Sequence, residues 1–469
     1  MTEVKYVNCT VRIKSPQETH YLDDYKREAD GVLFNDELFR MTLKRLADWV
    51  AQNERSSRGD LELLGRYLYR LIFNDLVGKA FETSYEYFEE VRDEAKADDR
   101  VTRLRLRLVF EPEAEELAAY PWEFIFMPRP KNGFFLSGEK IELILTRFVG
   151  AAEEDLGLSP DEEPLKILVA SANPSERAFD IGDLREMLEG SIGKLKNVRL
   201  RWKEQPRYKD LTREIEEFKP HIFHFIGHGE AGKLALIRPD DEILAEAANT
   251  GTQIDSHWID SDTFSEMFAE YKPRLIFLHA CKGAATFKTT LNAFTSMARE
   301  LAYSDIPAVV GMQYEIADTD ATTFASVCYR ELAAGRAIDE AVTAGRRELG
   351  RFSPQAWGDR RFGTPLVYLQ ASLPIIFSAG TSVDDEQSAD ARDGMATESY
   401  PCPGGTGCPG LIIAGKSFCP KCGVQVMMCP NGHMMARGMH CPDCEFDDRD
   451  AVAVSAAPAQ PAGSESSFG

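Results

Sequence analysis

From residue 164 onward the sequence alternates short apolar runs with longer amphipathic segments, and this alternation constrains the fold more than any other feature. Five runs are apolar without polar alternation: Leu165–Ala170, Ile222–Ile226, Leu275–Leu278, Ala308–Met312 and Leu366–Leu369. Helical patterns lie between them, near residues 180–195, 208–218, 259–271, 291–303 and 317–350. Buried strands separated by helices are typical of a mainly parallel sheet that is covered on both faces. The pattern predicts an α/β fold whose ligand binds beyond the carboxyl ends of the strands.

Residues 1–150 follow a different pattern and predict an α+β half. A strand is indicated at residues 5–13, helical periodicity runs from about Asp36 to Val91, and another strand pattern covers Ile141–Phe148. Residues 101–110 alternate apolar and basic side chains, which predicts a half-buried strand with a solvated arginine face. A nucleic-acid-binding stripe is the alternative. It is disfavoured because 54 Lys and Arg against 76 Asp and Glu give a net charge of −22, whereas duplex binding requires basic side chains that neutralise phosphates.

Composition divides the chain further. Residues 378–400 have the Ser-, Gly- and Asp-rich composition of a flexible linker, and the Ala-, Pro- and Ser-rich end of the chain is expected to be a disordered tail. No apolar run approaches the ~18–20 residues of a membrane span, and no secretory signal is visible at the N-terminus, so we expect a cytoplasmic protein. The predicted segments are an N-terminal half at 1–150, an α/β half at 151–377, a linker at 378–400, a cysteine-rich module at 401–446 and a tail at 447–469.

Two predicted strands end in residues that suit nucleophilic catalysis. Ile222–Ile226 is followed by Gly227-His228-Gly229, and Leu275–Leu278 is followed by His279-Ala280-Cys281-Lys282-Gly283. If these strands are parallel neighbours, His228 and Cys281 emerge at the same edge of the sheet. A neutral imidazole beside a thiol can take its proton and form the thiolate, which is the nucleophile. Cys281 lies 53 positions after His228, and a His some 50 residues before an Ala-Cys-x-Gly motif is the caspase-type arrangement.

Structural roles are the alternative for each of these residues. A lone cysteine after an apolar strand is usually a small core residue, and His224 is expected to be a packed or hydrogen-bonded residue inside its strand. A metal site formed by His221, His224 and His228 is disfavoured, because the two-residue period of a strand places His221 on the opposite face.

Several motifs together resemble the CHAT-domain family, which belongs to the caspase/separase clan of cysteine peptidases. They are Phe223-His-Phe-Ile-Gly-His-Gly229, Leu278-His-Ala-Cys-Lys-Gly283 and Ala308-Val-Val-Gly-Met-Gln313, supported by Leu104-Arg-Leu-Arg-Leu, Pro121-Trp-Glu-Phe and Gly363-Thr-Pro-Leu-Val-Tyr. The resemblance extends over most of residues 60–372. It implies a caspase-like fold, with a degenerate N-terminal half packed on a catalytic half.

The resemblance also implies the roles of the site residues. Cys281 would be the nucleophile, His228 the general base and then the general acid, and the backbone N–H groups of Gly229 and Cys281 the oxyanion hole. His279 stands where many relatives carry Asn, a difference that leaves the dyad intact and concerns the pocket wall. Asp318 and Glu315 resemble the acidic stretch by which separases accept arginine. The alternative for Asp318 is that it caps the helix that begins at Thr319.

Seven of the ten cysteines lie between Cys402 and Cys444, in a pattern typical of zinc binding. The spacings predict two structural Zn²⁺ sites with four protein ligands each, in a double zinc ribbon. The ligands are Cys402, Cys408, Cys419 and Cys422 in the first site, and Cys429, His433, Cys441 and Cys444 in the second, with His440 a weaker substitute for His433. Residues 378–469 hold 5 basic and 12 acidic residues, a net charge of −7, which favours a protein partner over nucleic acid.

Taken together, the residues and the resemblance predict a cysteine endopeptidase that cleaves protein substrates after a basic residue. Its zinc ribbon would recruit a substrate or an activating protein, and the family implies a role in bacterial defence or programmed cell death. The alternatives are a catalytically silent scaffold, or a protein-binding adaptor that uses the zinc ribbon; a nucleic-acid sensor is disfavoured by charge.

Overall fold

The structure is a computed structural model of the chain, and it divides into two compact units, Met1–Gly380 and Thr381–Gly469. The residues it describes are 4–34, 36–52, 56–97, 101–128, 131–138, 140–149, 164–174, 182–192, 198–230, 232–239, 255–280, 293–314, 316–351, 356–370, 374–376, 399–401, 411–413, 426–428 and 434–436.

The described residues of the first unit form sixteen strands and ten α-helices. The strands are β1 (Val4–Ile13), β2 (Glu18–Asp23), β3 (Glu28–Val32), β4 (Val101–Phe110), β5 (Phe126–Met127), β6 (Gly133–Phe134), β7 (Leu143–Val149), β8 (Leu165–Ser171), β9 (Val198–Glu204), β10 (Ile222–Gly227), β11 (Gly229–Glu230), β12 (Lys233–Ile237), β13 (Ser256–Asp260), β14 (Leu275–Ala280), β15 (Ala308–Met312) and β16 (Pro365–Leu369). The helices are α1 (Glu37–Gln52), α2 (Arg58–Ile72), α3 (Asp75–Ala97), α4 (Glu115–Ala118), α5 (Gly182–Ile192), α6 (Tyr208–Phe218), α7 (Ser261–Glu266), α8 (Ala293–Tyr303), α9 (Asp318–Ala333) and α10 (Ile338–Arg351).

Eleven of these strands form one mixed sheet in the order β3-β2-β1-β4-β7-β16-β15-β14-β10-β8-β9. Seven of the ten neighbouring pairs are parallel. The antiparallel contact between β15 and β16 divides the sheet into two parallel blocks that run in opposite directions. The predicted α/β fold with a large, mainly parallel sheet is confirmed. Strands from both predicted halves of the chain share this sheet.

The block formed by β8, β9, β10, β14 and β15 is covered by helices on both faces. On one face, apolar residues of β8, β10, β14 and β15 pack against α5, α9 and α10. On the other face they pack against α6, α7 and α8. Burial on both faces explains why β15 is apolar along its whole length and why β10 is apolar apart from His224, since each buried aliphatic or aromatic side chain contributes roughly 1.5–3 kcal/mol.

The arginine face of β4 differs from the sequence prediction, which was wrong on this point. Arg103 is 6% exposed and Arg105 is 2% exposed. Arg103 forms an ion pair with Glu340, and Arg105 forms one with Asp339, whose carboxylate also accepts a hydrogen bond of 3.1 Å from Nη2 of Arg105. The first turn of α10 therefore covers this face with two carboxylates. Loss of one partner of such a buried pair costs about 3–5 kcal/mol, because the other charge is left uncompensated.

The described part of the second unit consists of two antiparallel strand pairs. They are formed by β17 (Ser399–Pro401) with β18 (Leu411–Ile413), and by β19 (Val426–Met428) with β20 (Met434–Ala436). Within the described ranges of both units, no helix has the length and apolar character needed to cross a membrane.

Candidate active site

The two strands that precede His228 and Cys281 are parallel neighbours, which meets the condition that the sequence left open. β10 pairs with β14 over its whole length, and Gly227 lies opposite Ala280. His228 is the next residue on one strand, and Cys281 is the next residue of the other strand in sequence. Residues 281–292 lie outside the described residues, so the assignment of Cys281 as the nucleophile stays a prediction.

His228 is fully buried and held by the backbone on both sides. Its carbonyl oxygen accepts a hydrogen bond of 3.0 Å from the N–H of Ala235 on β12. Before it, Gly227 has the ring of Phe225 folded over it, and a Cβ at this position would lie 2.8 Å from that ring. A side chain larger than hydrogen at residue 227 would therefore disturb the strand end that carries the imidazole.

The end of β10 lies where the order of strands in the sheet reverses. The chain passes from β8 outward to β9 and then returns to β10 on the other side of β8. The carboxyl ends of β8 and β10 thus flank a point where the direction of strand progression reverses, and such points bind ligands in open α/β sheets. His228 follows β10 at this point, and the N–H of Ala172 after β8 donates to the carbonyl of Ile226 at 2.9 Å.

The pairing of β11 with β12 fixes the direction of the backbone N–H of Gly229. Gly229 pairs with Leu234 between β11 and β12, and the adjacent pair, His228 and Ala235, is the hydrogen-bonded one. Hydrogen-bonded and non-hydrogen-bonded pairs alternate along an antiparallel ladder. The N–H of Gly229 therefore points away from β12. This is the unpaired side of β11, which is an edge strand of its three-stranded sheet.

The other histidines of these strands are structural. Nδ1 of His221 accepts a hydrogen bond of 2.9 Å from the backbone N–H of Lys166, on the face opposite His224. The hydroxyl of Tyr329 on α9 lies 2.7 Å from Nδ1 of His224, so the expectation that His224 is a hydrogen-bonded sheet residue is confirmed. The His279 ring stacks on that of His224 at 5.8 Å.

Burial keeps this pair of imidazoles neutral. It lowers the pKa of His279 to about 4. Burial, with a smaller contribution from His279, also holds the pKa of His224 well below its ordinary value. Charging either ring would place an ion in the sheet interior, far from water.

The predicted specificity segment starts at the same edge of the sheet. β15 is parallel to β14, so Gln313 leaves the sheet on the side where His228 lies. α9 begins at Asp318 with Ala317 as its N-cap residue, one residue earlier than the capping alternative assumed. Glu315 and the side chain of Asp318 lie outside the described residues.

The predicted zinc ligands all lie outside the described residues, among which there is no group of three or more candidate metal ligands. Two cysteines that stand alone in the sequence are described: Cys9 and Cys328 are buried thiols. Burial raises the pKa of Cys9 to about 12 and also raises the pKa of Cys328. Both are thiols at neutral pH and unsuited to act as nucleophiles.

Four buried polar residues meet beside the end of β15, and the sequence predicts none of the contacts between them: Glu123, Arg147, Gln313 and Arg346. We call them the Glu123 cluster. Its signal in the sequence is a single carboxylate between Trp122 and Phe124 in an otherwise apolar segment, because a buried charge requires a partner. The identity of that partner cannot be read from the same segment.

Comparison with solved structures finds separase and caspase chains. Separase of Saccharomyces cerevisiae, in two crystal structures with securin, is 14% and 15% identical, with TM-scores of 0.40 and 0.34. The alignments cover 80% and 74% of this chain but only 30% and 21% of the separase chain. Caspase-1 from Spodoptera frugiperda is 10% identical with a TM-score of 0.30, over 48% of this chain and 94% of its own.

A comparison with curated proteins gave no match. The sequence model of the CHAT domain matches residues 63–359, a span that includes β10, β14, β15 and the Glu123 cluster. This match covers more than half of the chain, and the chain belongs to the CHAT domain family.

Proposed function

We propose that this protein is a cysteine endopeptidase that uses His228 and Cys281 as a catalytic dyad. The observation that carries the proposal is the register of β10 and β14, which places Gly227 opposite Ala280. Neighbouring strands are about 5 Å apart, and His228 and Cys281 directly follow these two strands in sequence. The proposal is supported by the place of His228 after β10, where the strand order reverses and α/β sheets commonly bind ligands, and by the family.

The proposed reaction proceeds through a thioester. His228 accepts the Cys281 proton, and the thiolate attacks the carbonyl carbon of the scissile peptide bond. The N–H groups of Gly229 and Cys281 bind the oxyanion; one such donor is typically worth about 3 kcal/mol of transition-state stabilisation. The C–N bond then breaks as His228 protonates the leaving amine. Water, deprotonated by His228, hydrolyses the thioester, releases the carboxylate and returns the proton to Cys281.

For substrate selection, we propose that the segment from Gln313 to Asp318 forms the rim of the pocket for the residue before the scissile bond. Asp318 and Glu315 are two carboxylates close in sequence to the end of β15. A carboxylate in a partly dry pocket pairs best with a guanidinium, which can donate two charge-assisted hydrogen bonds to it. The enzyme would therefore prefer Arg, and then Lys, before the cut.

For the C-terminal segment, we propose two structural Zn²⁺ sites and a role in binding a substrate or an activating protein. In sequence, Cys402 and Cys408 lie between β17 and β18, and Cys429 and His433 lie between β19 and β20. Each antiparallel strand pair thus brackets the first two ligands of one predicted set, an arrangement that suits a zinc ribbon. The metal would supply folding free energy to a segment with few core residues.

The test of the proposed activity is covalent labelling with a peptide acyloxymethyl ketone that carries Arg next to the reactive group. Wild type is compared with Cys281→Ala and His228→Ala, with Cys328→Ala as a matched control at a buried thiol. We expect the probe to label wild type and Cys328→Ala, and to label neither Cys281→Ala nor His228→Ala. All three variants should still unfold cooperatively. Labelling of Cys281→Ala contradicts the dyad. If folded wild type is not labelled by probes that carry a basic, an acidic or an apolar residue next to the reactive group, the result favours a catalytically silent scaffold instead.

A further inference from the structure

The Glu123 cluster lies where the N-terminal half of the sequence meets the end of β15. Glu123 belongs to the 3-10 turn Trp122–Phe124, and Arg147 belongs to β7. Gln313 directly follows β15, and Arg346 lies on α10. None of the four side chains has access to solvent beyond a few per cent. Four polar side chains buried together are costly unless each satisfies another.

The carboxylate of Glu123 is the centre of the hydrogen-bond network. Its Oε2 accepts hydrogen bonds from Nη2 of Arg147 and from Nε2 of Gln313, the latter at 2.8 Å. Its Oε1 accepts one of 3.3 Å from Nη2 of Arg346. Gln313 also donates from Nε2 to the carbonyl of Gly363, and its Oε1 accepts from Arg147 at 3.4 Å. Both ends of the Gln313 amide are therefore fixed.

The charges of the cluster keep it intact at neutral pH. Burial lowers the pKa of Arg346 to about 10, so this guanidinium stays charged. Burial also opposes the charge of Arg147, but the ion pair with Glu123 outweighs it and raises the pKa. Two buried guanidinium groups thus share one carboxylate, and Glu123 cannot leave them without exposing two uncompensated charges.

The turn that carries Glu123 also contacts Tyr314, the residue after Gln313. The ring of Phe124 stacks on the ring of buried Tyr314, with their centroids 6.2 Å apart. The guanidinium of Arg360 also contacts the Tyr314 ring, 5.1 Å from its centroid. Residues 123 and 124 therefore contact residues 313 and 314 one to one, the first pair by hydrogen bonding and the second by stacking. The backbone N–H of Gln313 adds a hydrogen bond of 2.9 Å to Thr364.

We infer that Glu123 is a positioning residue for substrate binding: through Gln313 it fixes the start of the segment that leads from β15 to Asp318. The inference rests on the proposed peptidase function. The N-terminal half would thereby contribute to recognition of the peptide without touching it. His228 and the strand ends beside it are anchored by other contacts, with β8, β12 and β14, so the chemical step does not depend on the cluster.

The test separates recognition from chemistry by using two reagents on the same thiol. The Arg-bearing acyloxymethyl ketone must occupy the pocket, whereas iodoacetamide needs only the reactive Cys281, whose alkylation is followed by mass spectrometry of its peptide. Gln313→Met keeps length and volume but removes the amide hydrogen bonds. Phe124→Leu removes the stacking on Tyr314 without changing any charge. Tyr6→Phe is the control, because it removes a 2.6 Å hydrogen bond to Glu340 in which no residue of the Glu123 cluster takes part.

We expect both test variants to react with the peptide probe about tenfold more slowly or worse, through weaker binding, since small misplacements of binding groups have effects of this size. Their reaction with iodoacetamide should stay within about twofold of wild type. Wild-type rates with the peptide probe would overturn the positioning role alone, as would an equal slowing with both reagents. A folded wild type that no peptide probe labels would overturn the proposed function and the positioning role together.

Discussion

The buried imidazole of His279 makes the stability of the first unit depend on pH in a way that one substitution should remove. His279 is fully buried, and neither of its ring nitrogens has a hydrogen-bond partner among the described residues. The ring of His224 is stacked on it, and the hydroxyl of Tyr329 is hydrogen-bonded to His224. His279→Leu replaces the ring by an apolar side chain of similar size and removes no hydrogen bond seen in the described residues.

The size of this pH effect on the free energy of unfolding follows from the lowered pKa of His279. The His279 pKa is about 4 in the folded chain against 6.5 as the ordinary value. Between these values the unfolded chain binds a proton that the folded chain does not, so the free energy of unfolding falls as the pH falls. Between pH 7.5 and pH 5.0 the difference amounts to about 2 kcal/mol, since one pKa unit corresponds to about 1.4 kcal/mol. Well above pH 6.5 the imidazole is neutral in both the folded and the unfolded chain, so it takes nothing from the free energy of unfolding there.

The measurement is urea unfolding at pH 7.5 and pH 5.0, followed by the fluorescence of the buried Trp122 and Trp357. We expect His279→Leu to be at least as stable as wild type at pH 7.5, and to lose about 2 kcal/mol less than wild type on acidification. Ile276→Val on the opposite face of β14 is the control, because this buried aliphatic side chain lies on the face away from the two imidazoles and its cost should be equal at both pH values. If wild type and His279→Leu lose the same free energy between the two pH values, the explanation is wrong.

Three further results are expected. Elemental analysis of the purified protein should find two Zn²⁺ per chain, and a chelator should unfold the C-terminal segment; one zinc or none contradicts the double site. A peptide-library profile should favour Arg, then Lys, before the cut, and Asp318→Ala should lose this preference while it keeps its fold; a preference for Asp or a large apolar residue contradicts the pocket assignment. Gly65→Ala should cost about 2–3 kcal/mol in urea unfolding, since its methyl group would overlap the carbonyl oxygen of Phe124 and lie 2.8 Å from Cβ of Phe126. Gly190→Ala, with open space at its Cβ, should instead gain about 0.5–1 kcal/mol, and equal effects of the two alanines would contradict the close packing of α2.

The sequence is sufficient for the class of the fold and for the bounds of its most apolar strands. Ala308–Met312 was predicted with the bounds that the structure gives it, because a run apolar along its whole length must be buried on both faces. Each motif before His228 and Cys281 contains its own strand, glycine and reactive residue, but only the pairing of β10 with β14 shows that the two strands are neighbours.

The tertiary structure decided the direction of β16 and the partners of buried charges. A short apolar strand has the same pattern whether it runs parallel or antiparallel, so only the pairing with β15 shows its direction. The arginines of β4 alternate as a solvated face would, yet Arg105 meets Asp339, which lies 234 residues later. Glu123 meets Gln313 across 190 residues. Local patterns depend on each residue and its close neighbours in the chain, whereas the partner of a buried charge depends on which distant segments the completed fold brings together.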